Sequence, residues 1–143
     1  MADVIARILI ASLLLALSEY RQFETLRQLQ GEWTSVDETY RGFKAFDENH
    51  VKFTLSVDGT HFTIAKPERL VSSGRLRIPV SRSPQQIDFF YEQGILWDEW
   101  NYGILRIEGD TLTLCLDQTK RPTKFGSPKG SMTSLSVWRK VKK

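Results

Sequence analysis

The chain reads as an all-β protein, an antiparallel meander barrel of about eight strands preceded by an N-terminal helix. Three observations predict it. Short runs in which apolar and polar residues alternate with a period of two recur between residues 51 and 116. Tight-turn dipeptides, Asp58-Gly59 and Gly109-Asp110, separate successive runs. Up to Gln30, by contrast, the apolar residues follow helical spacing. Eight antiparallel strands close into a barrel whose interior either fills with side chains or holds one small ligand.

With 143 residues, 41% hydrophobic and 26% charged, the chain is one globular domain with room for a single core. Its net charge of +3 is unevenly spread. Residues 1–118 hold 12 basic and 17 acidic side chains, whereas residues 119–143 hold 8 basic and none acidic. Such an end suits phosphate or an anionic surface, or simply a solvated strand edge where lysine deters pairing. The aromatic-interleaved basic groove of a single-strand nucleic-acid binder is not evident. Cys115 is the one cysteine, which excludes an intramolecular disulfide and thiol-rich metal sites. Set among strand leucines, it reads as a small packed side chain.

Taken in order, Val4 to Leu17 is apolar almost all round, with Arg7 interrupting. It is shorter than the roughly 20 residues a bilayer span takes. Residues 1–18 fit a signal peptide with Ala16 and Ser18 at positions −3 and −1 of a cleavage after Ser18, although Asp3 stands where positive charge is usual; the alternative is an apolar helix that stays attached. Cleavage would make the protein exported, to a periplasm or cell envelope; without it a cytoplasmic setting follows. Residues 19–30 form an amphipathic lead-in helix, with Tyr20, Phe23, Leu26 and Leu29 near one face and Gly31 ending it.

The barrel is expected over residues 31–143. Trp33 to Val36 opens it, and Asp37 to Asn49 reads as a long polar loop bearing Tyr40, Phe43 and Phe46. Val51 to Val57 and Thr60 to Ala65 flank Asp58-Gly59, with Phe53, Leu55, Val57, Phe62 and Ile64 inward. Arg75 to Val80 and Gln86 to Tyr91 repeat the pattern, with Leu76, Ile78, Val80, Ile87, Phe89 and Tyr91 inward and Asp88 outward. A hairpin then turns at Gly109-Asp110, placing Leu105 and Ile107 opposite Leu112, Leu114 and Leu116. Arg121-Pro122-Thr123 is expected to stop that strand, since proline removes a donor and biases its predecessor. Leu135 to Arg139 completes the set.

Four stretches together carry a resemblance: Leu29-Gln30-Gly31-Glu32-Trp33, Ser83-Pro84-Gln85-Gln86-Ile87-Asp88, Gly109-Asp110-Thr111-Leu112-Thr113-Leu114-Cys115 and Arg121-Pro122-Thr123-Lys124-Phe125. In order and spacing they are similar to a small lipocalin-like domain family abundant in planctomycete bacteria. The resemblance covers roughly Leu26 onward, and implies a lipocalin-like barrel, often on an exported protein, with no assigned activity. It further implies that the Trp33 of Gly31-Glu32-Trp33 closes the barrel floor while a basic residue of the last strand, Arg139, lies across its ring. An arginine so placed contributes roughly 0.5 to 2 kcal/mol. Gly31, Trp33, Arg139, Arg121 and Pro122 are thus structural candidates. Lys124 stands where the family commonly has an acid.

Gly94 to Tyr102, GILWDEWNY, departs most from the family pattern and supplies the ligand-binding candidates Trp97, Trp100 and Tyr102 beside Asp98 and Glu99. Aromatic rings with polar tips grip sugars, quaternary amines or flat apolar molecules. The alternative is a hairpin end whose rings pack on the rim. No catalytic residue is assigned. His50 and His61 lack metal-ligand spacing, no elbow positions a serine, and Gly126-Ser127-Pro128-Lys129-Gly130 is not a phosphate loop. Asp98-Glu99 and Asp37-Glu38 are neighbours that an extended chain points to opposite faces. The leading expectation is non-catalytic binding of a small apolar or amphiphilic ligand, with no metal and no cofactor, no specific nucleic acid and no transmembrane span. The alternatives are an interaction module with a filled barrel, and a small enzyme using a buried Asp98 or Glu99.

Overall fold

In the computed structural model, which describes residues 1–45, 51–79 and 82–143, one helix leads into a closed antiparallel barrel. Helix α1 spans Ala2–Leu29 without a break, so the segments expected on either side of Ser18 form one rod. Its first seventeen residues are exposed, Ile8, Leu9, Leu13 and Leu14 among them. Among the described residues the first hydrogen bonds from the helix to the barrel are those of Gln22, whose amide donates to the carbonyls of Ile78 at 3.0 Å and Pro79 at 2.6 Å. The helix stops at Gln30, and Gly31 at φ +103° turns the chain into the sheet, a conformation that favours glycine.

The strands are β1 (Gly31–Tyr40), β2 (Phe43–Lys44), β3 (Thr54–Asp58), β4 (His61–Lys66), β5 (Arg69–Arg77), β6 (Gln85–Gln93), β7 (Trp100–Glu108), β8 (Thr111–Asp117) and β9 (Thr133–Lys140). β3 to β9 pair in sequence, β1 joins β3, and β9 returns to β1 with Lys140 opposite Trp33. The barrel is therefore eight-stranded and all-β, with the two-residue β2 folded back on the end of β1. Trp33, Leu55, Phe62, Leu76, Ile87, Phe89 and Leu112 fill its interior. Phe62 stands edge-on to Phe89 at 4.9 Å and to Tyr91 at 5.2 Å, contacts worth about 0.5 to 1.5 kcal/mol each beyond their burial.

Several boundaries differ from expectation, each for a local reason. β1 continues through Tyr40 because a bulge between Ser35 and Asp37 lets Val36 swing out, which destroys the alternation by which a strand is recognised. β5 lies earlier than Arg75 to Val80, and the extra residue Val71, set against the Ile64 to Ala65 step of β4, breaks its period in the same way. A Cβ at Gly74 would meet the carbonyl oxygen of Phe90 at 1.9 Å, so only glycine fits there. β8 ends at Asp117, ahead of Pro122: Asp117 Oδ1 accepts from the Thr119 amide at 2.8 Å, the Thr119 hydroxyl at 2.7 Å and the Lys120 amide at 3.3 Å, bending the chain away. Expectations for Phe46, His50 and Val80 fall outside the described residues.

Two side chains change role. The cation over Trp33 is Lys140, 4.6 Å from the ring centroid, and not Arg139, because alternation from inward Trp138 sends Arg139 to solvent and returns Lys140 to the indole. Asp88 does occupy the outward phase of β6, yet it is fully buried. The segment 118–132 crosses the outer face of β6 to β8. From it Arg121 reaches Asp88 at 2.7 Å and donates to the Gly103 carbonyl at 2.8 Å, while Arg77 adds a second contact to Asp88 at 2.9 Å. Cys115 lies under the same segment, buried, with its thiol directed at the carbonyls of Lys124 and Gly126.

Candidate functional site: the open end of the barrel

The two ends of the barrel are built differently. At one end Leu29 and Trp33, both 1% exposed, form a floor, and the indole donates to the Leu29 carbonyl at 2.9 Å. Lys140 Nζ donates to the Gln28 and Gln30 carbonyls, placing a positive charge at the negative end of α1. At the other end lies a cavity of about 350 Å³. Leu55, Ile64, Phe89, Leu114, Leu116 and Trp138 make its apolar wall, and Tyr40 and Met132 stand among the lining residues with their side chains 4.0 Å apart.

The polar groups of the cavity come from positions that the strand bulge and strand ends dictate. After Val36 bulges, the inward phase of β1 passes from Trp33 and Ser35 to Glu38 and Tyr40, opposite inward Ser136 and Ser134. Asp37 is thereby turned outward, where it meets Lys44 at 2.6 Å. Asn101 enters between outward Trp100 and Tyr102, opposite Phe89 of β6. Asn101 is 7% exposed, and its Oδ1 has no hydrogen-bond partner. Asp117 and Gln118 line the cavity where β8 leaves the barrel.

Burial pushes the Tyr91 phenol up to about 12, against the hydrogen bond from Asn101 and with the added effect of the nearby Glu38 charge. Tyr91 is therefore a neutral hydroxyl at any ordinary pH. Asp117 shows the opposite balance. Burial opposes its ionisation, but hydrogen bonds from Thr119, from Thr133 at 2.8 Å and from Lys120 outweigh that and hold it below the usual aspartate range. The Cys115 thiol is raised by burial, which removes the thiolate that reactivity requires.

The segment from Gly94 to Tyr102 contributes to the cavity through Ile95, Leu96 and Asn101. That differs from the expectation built on its aromatic and acidic residues. Trp97 is 66% exposed, and Asp98, at φ +63°, and Glu99 are exposed in the turn. Trp100 packs on Phe90 at 5.0 Å on the outer face, under Arg77 at 4.3 Å, and Tyr102 lies 5.9 Å from Arg121. The enzyme reading needed Asp98 or Glu99 buried in a pocket, and the structure places neither there. Among the described residues no group of three or more histidine, cysteine, aspartate or glutamate side chains is placed to hold a metal ion. The concentration of basic residues after Gln118 is also dispersed: Arg121 and Lys140 have internal roles, and Lys142 and Lys143 meet Asp110 and Glu32.

Sequence reasoning missed Glu38, Asn101 and Asp117. For Asn101 a signal existed, since extending the strand pattern back from Tyr102 points it inward. For Glu38 none did, because its orientation depends on the bulge. Comparison of the chain with protein-family models, with curated proteins and with solved structures returns no match, so function is argued from this geometry.

Proposed function

We propose that the barrel is a non-catalytic binder of one small apolar or amphiphilic ligand, taken into its open end. The observation that carries this is the 350 Å³ cavity, within the range of small-molecule sites, with a mostly apolar wall and a few convergent polar groups. The lipocalin-like resemblance agrees with such a role. Calorimetric titration with n-octanol and n-decanol tests it. Saturable binding by the wild type, abolished in Leu116→Trp at unchanged melting temperature, is the expected result. Absence of saturable binding by both alcohols overturns it.

A second reading concerns the first half of α1, favoured by the exposure of Ile8, Leu9, Leu13 and Leu14 on a helix whose hydrogen bonds to the barrel, among the described residues, begin at Gln22. No helix of the described residues is long and apolar enough to cross a membrane. We read residues 1–18 as an export signal, separable from the barrel, whose removal leaves an envelope or periplasmic protein. Intact mass of the protein from its own host tests this: a chain beginning at Glu19 supports export, and a full-length chain assigns the helix to interaction with a partner.

A further inference from the structure

We infer that the ligand is an organic cation, a protonated amine carried on an apolar body, with its ammonium group held near Glu38 and Asn101. The inference rests on the reading of the cavity as a ligand site and adds the charge of what enters it. Three features carry it. The lining offers two carboxylates, Glu38 and Asp117, and among the described residues no lysine, arginine or histidine, although the protein as a whole is positive. Asn101 brings a deeply buried acceptor, Oδ1, that has no hydrogen-bond partner in the protein. A buried acceptor left unmatched is costly, and a donor on the ligand removes that cost. Tyr40, Tyr91 and Trp138 line the same space, and aromatic rings attract cations.

Glu38, Tyr91 and Asn101 line the same cavity, so carboxylate, hydroxyl and amide share one space with the apolar wall. An ammonium there has three donors for these acceptors, while its alkyl body lies along Leu55, Ile64 and Phe89. A carboxylate ligand, by contrast, would add negative charge beside Glu38 and Asp117 and supply no donor to Asn101. A neutral alcohol supplies one donor and no charge.

The test uses three probes of one chain length, n-octylamine, n-octanol and octanoate, titrated into the full chain at neutral pH and low salt. We expect octylamine to bind roughly tenfold or more tighter than octanol, with octanoate weakest, as a charge-assisted hydrogen bond in a desolvated site predicts. High salt should narrow the gap only slightly, because the groups are partly buried. Glu38→Gln should reduce octylamine binding to the level of octanol. Equal binding of amine and alcohol, or a preference for octanoate, overturns the inference and leaves the barrel reading standing. Failure of all three probes to bind overturns both. The wild-type ranking decides the matter even where Glu38→Gln does not fold.

Discussion

Two buried aspartates in this barrel are stabilised in opposite ways. Asp88, on the outer face of β6, is fully buried between two guanidinium groups, Arg77 and Arg121. Asp117, at the cavity, is 4% exposed and is held by uncharged donors, the amides of Thr119 and Lys120 and the hydroxyls of Thr119 and Thr133. The first arrangement neutralises a charge and pins a loop to the sheet. The second keeps a negative charge at the mouth of a cavity without cancelling it. The difference separates a carboxylate that holds the scaffold together from one that lines the cavity.

The comparison is broken first at its structural side. Asp88→Ala leaves Arg121 facing a buried gap and should destabilise the fold by about 3 kcal/mol, the lower end for breaking a buried pair because both arginines reach solvent. Denaturant titration measures it, and octylamine affinity should be unchanged. Asp117→Asn removes the ionic acceptor of the turn and should cost about 2 kcal/mol. Its signature is pH dependence. Because the folded pKa of Asp117 is depressed, its contribution is complete above the unfolded aspartate value of about 4 and is lost as pH falls through the folded value. Melting temperature followed from pH 6 to about pH 2 should fall less steeply in Asp117→Asn than in the wild type.

Lys140→Met tests the closed end, where loss of the cation over Trp33 and of the helix-terminal contacts should cost about 1 kcal/mol by the same denaturant assay. Tyr91 gives a smaller, spectroscopic effect. Its raised phenol favours the folded state fully below the unfolded tyrosine value of about 10 and loses that contribution as pH rises toward about 12. In alkaline absorbance titration, Tyr91→Phe should remove the last tyrosine to ionise. The smallest expectation is none: deletion of residues 1–18 should leave the barrel's stability unchanged, since residues 1–17 are exposed.

The scaffold was more legible in the sequence than the site, and the reason is periodicity. Where strands run without interruption, as at Leu112 to Leu116, two-residue alternation places each side chain correctly. Bulges break that rule in β1, β5 and β6, and the cavity depends on one of them, since Glu38 faces inward only because Val36 does not count in the phase. Chemical character misled in the opposite direction. Trp97, Asp98 and Glu99 look like a binding loop, but exposure at a turn is the simplest setting for a polar-tipped aromatic followed by two acids. Burial of Asp88 was likewise invisible, because the arginine that covers it is more than thirty positions away.

The pairing of β9 with β1 has a consequence for synthesis. The floor residue Trp33 meets its partner Lys140 only when the ninth strand exists, so a chain without β9 leaves β1 and β8 as unpaired sheet edges. Trp138, Ser134 and Ser136, which complete the cavity, arrive on that same strand. Closure of the barrel and completion of the cavity are thus a single event, the last one.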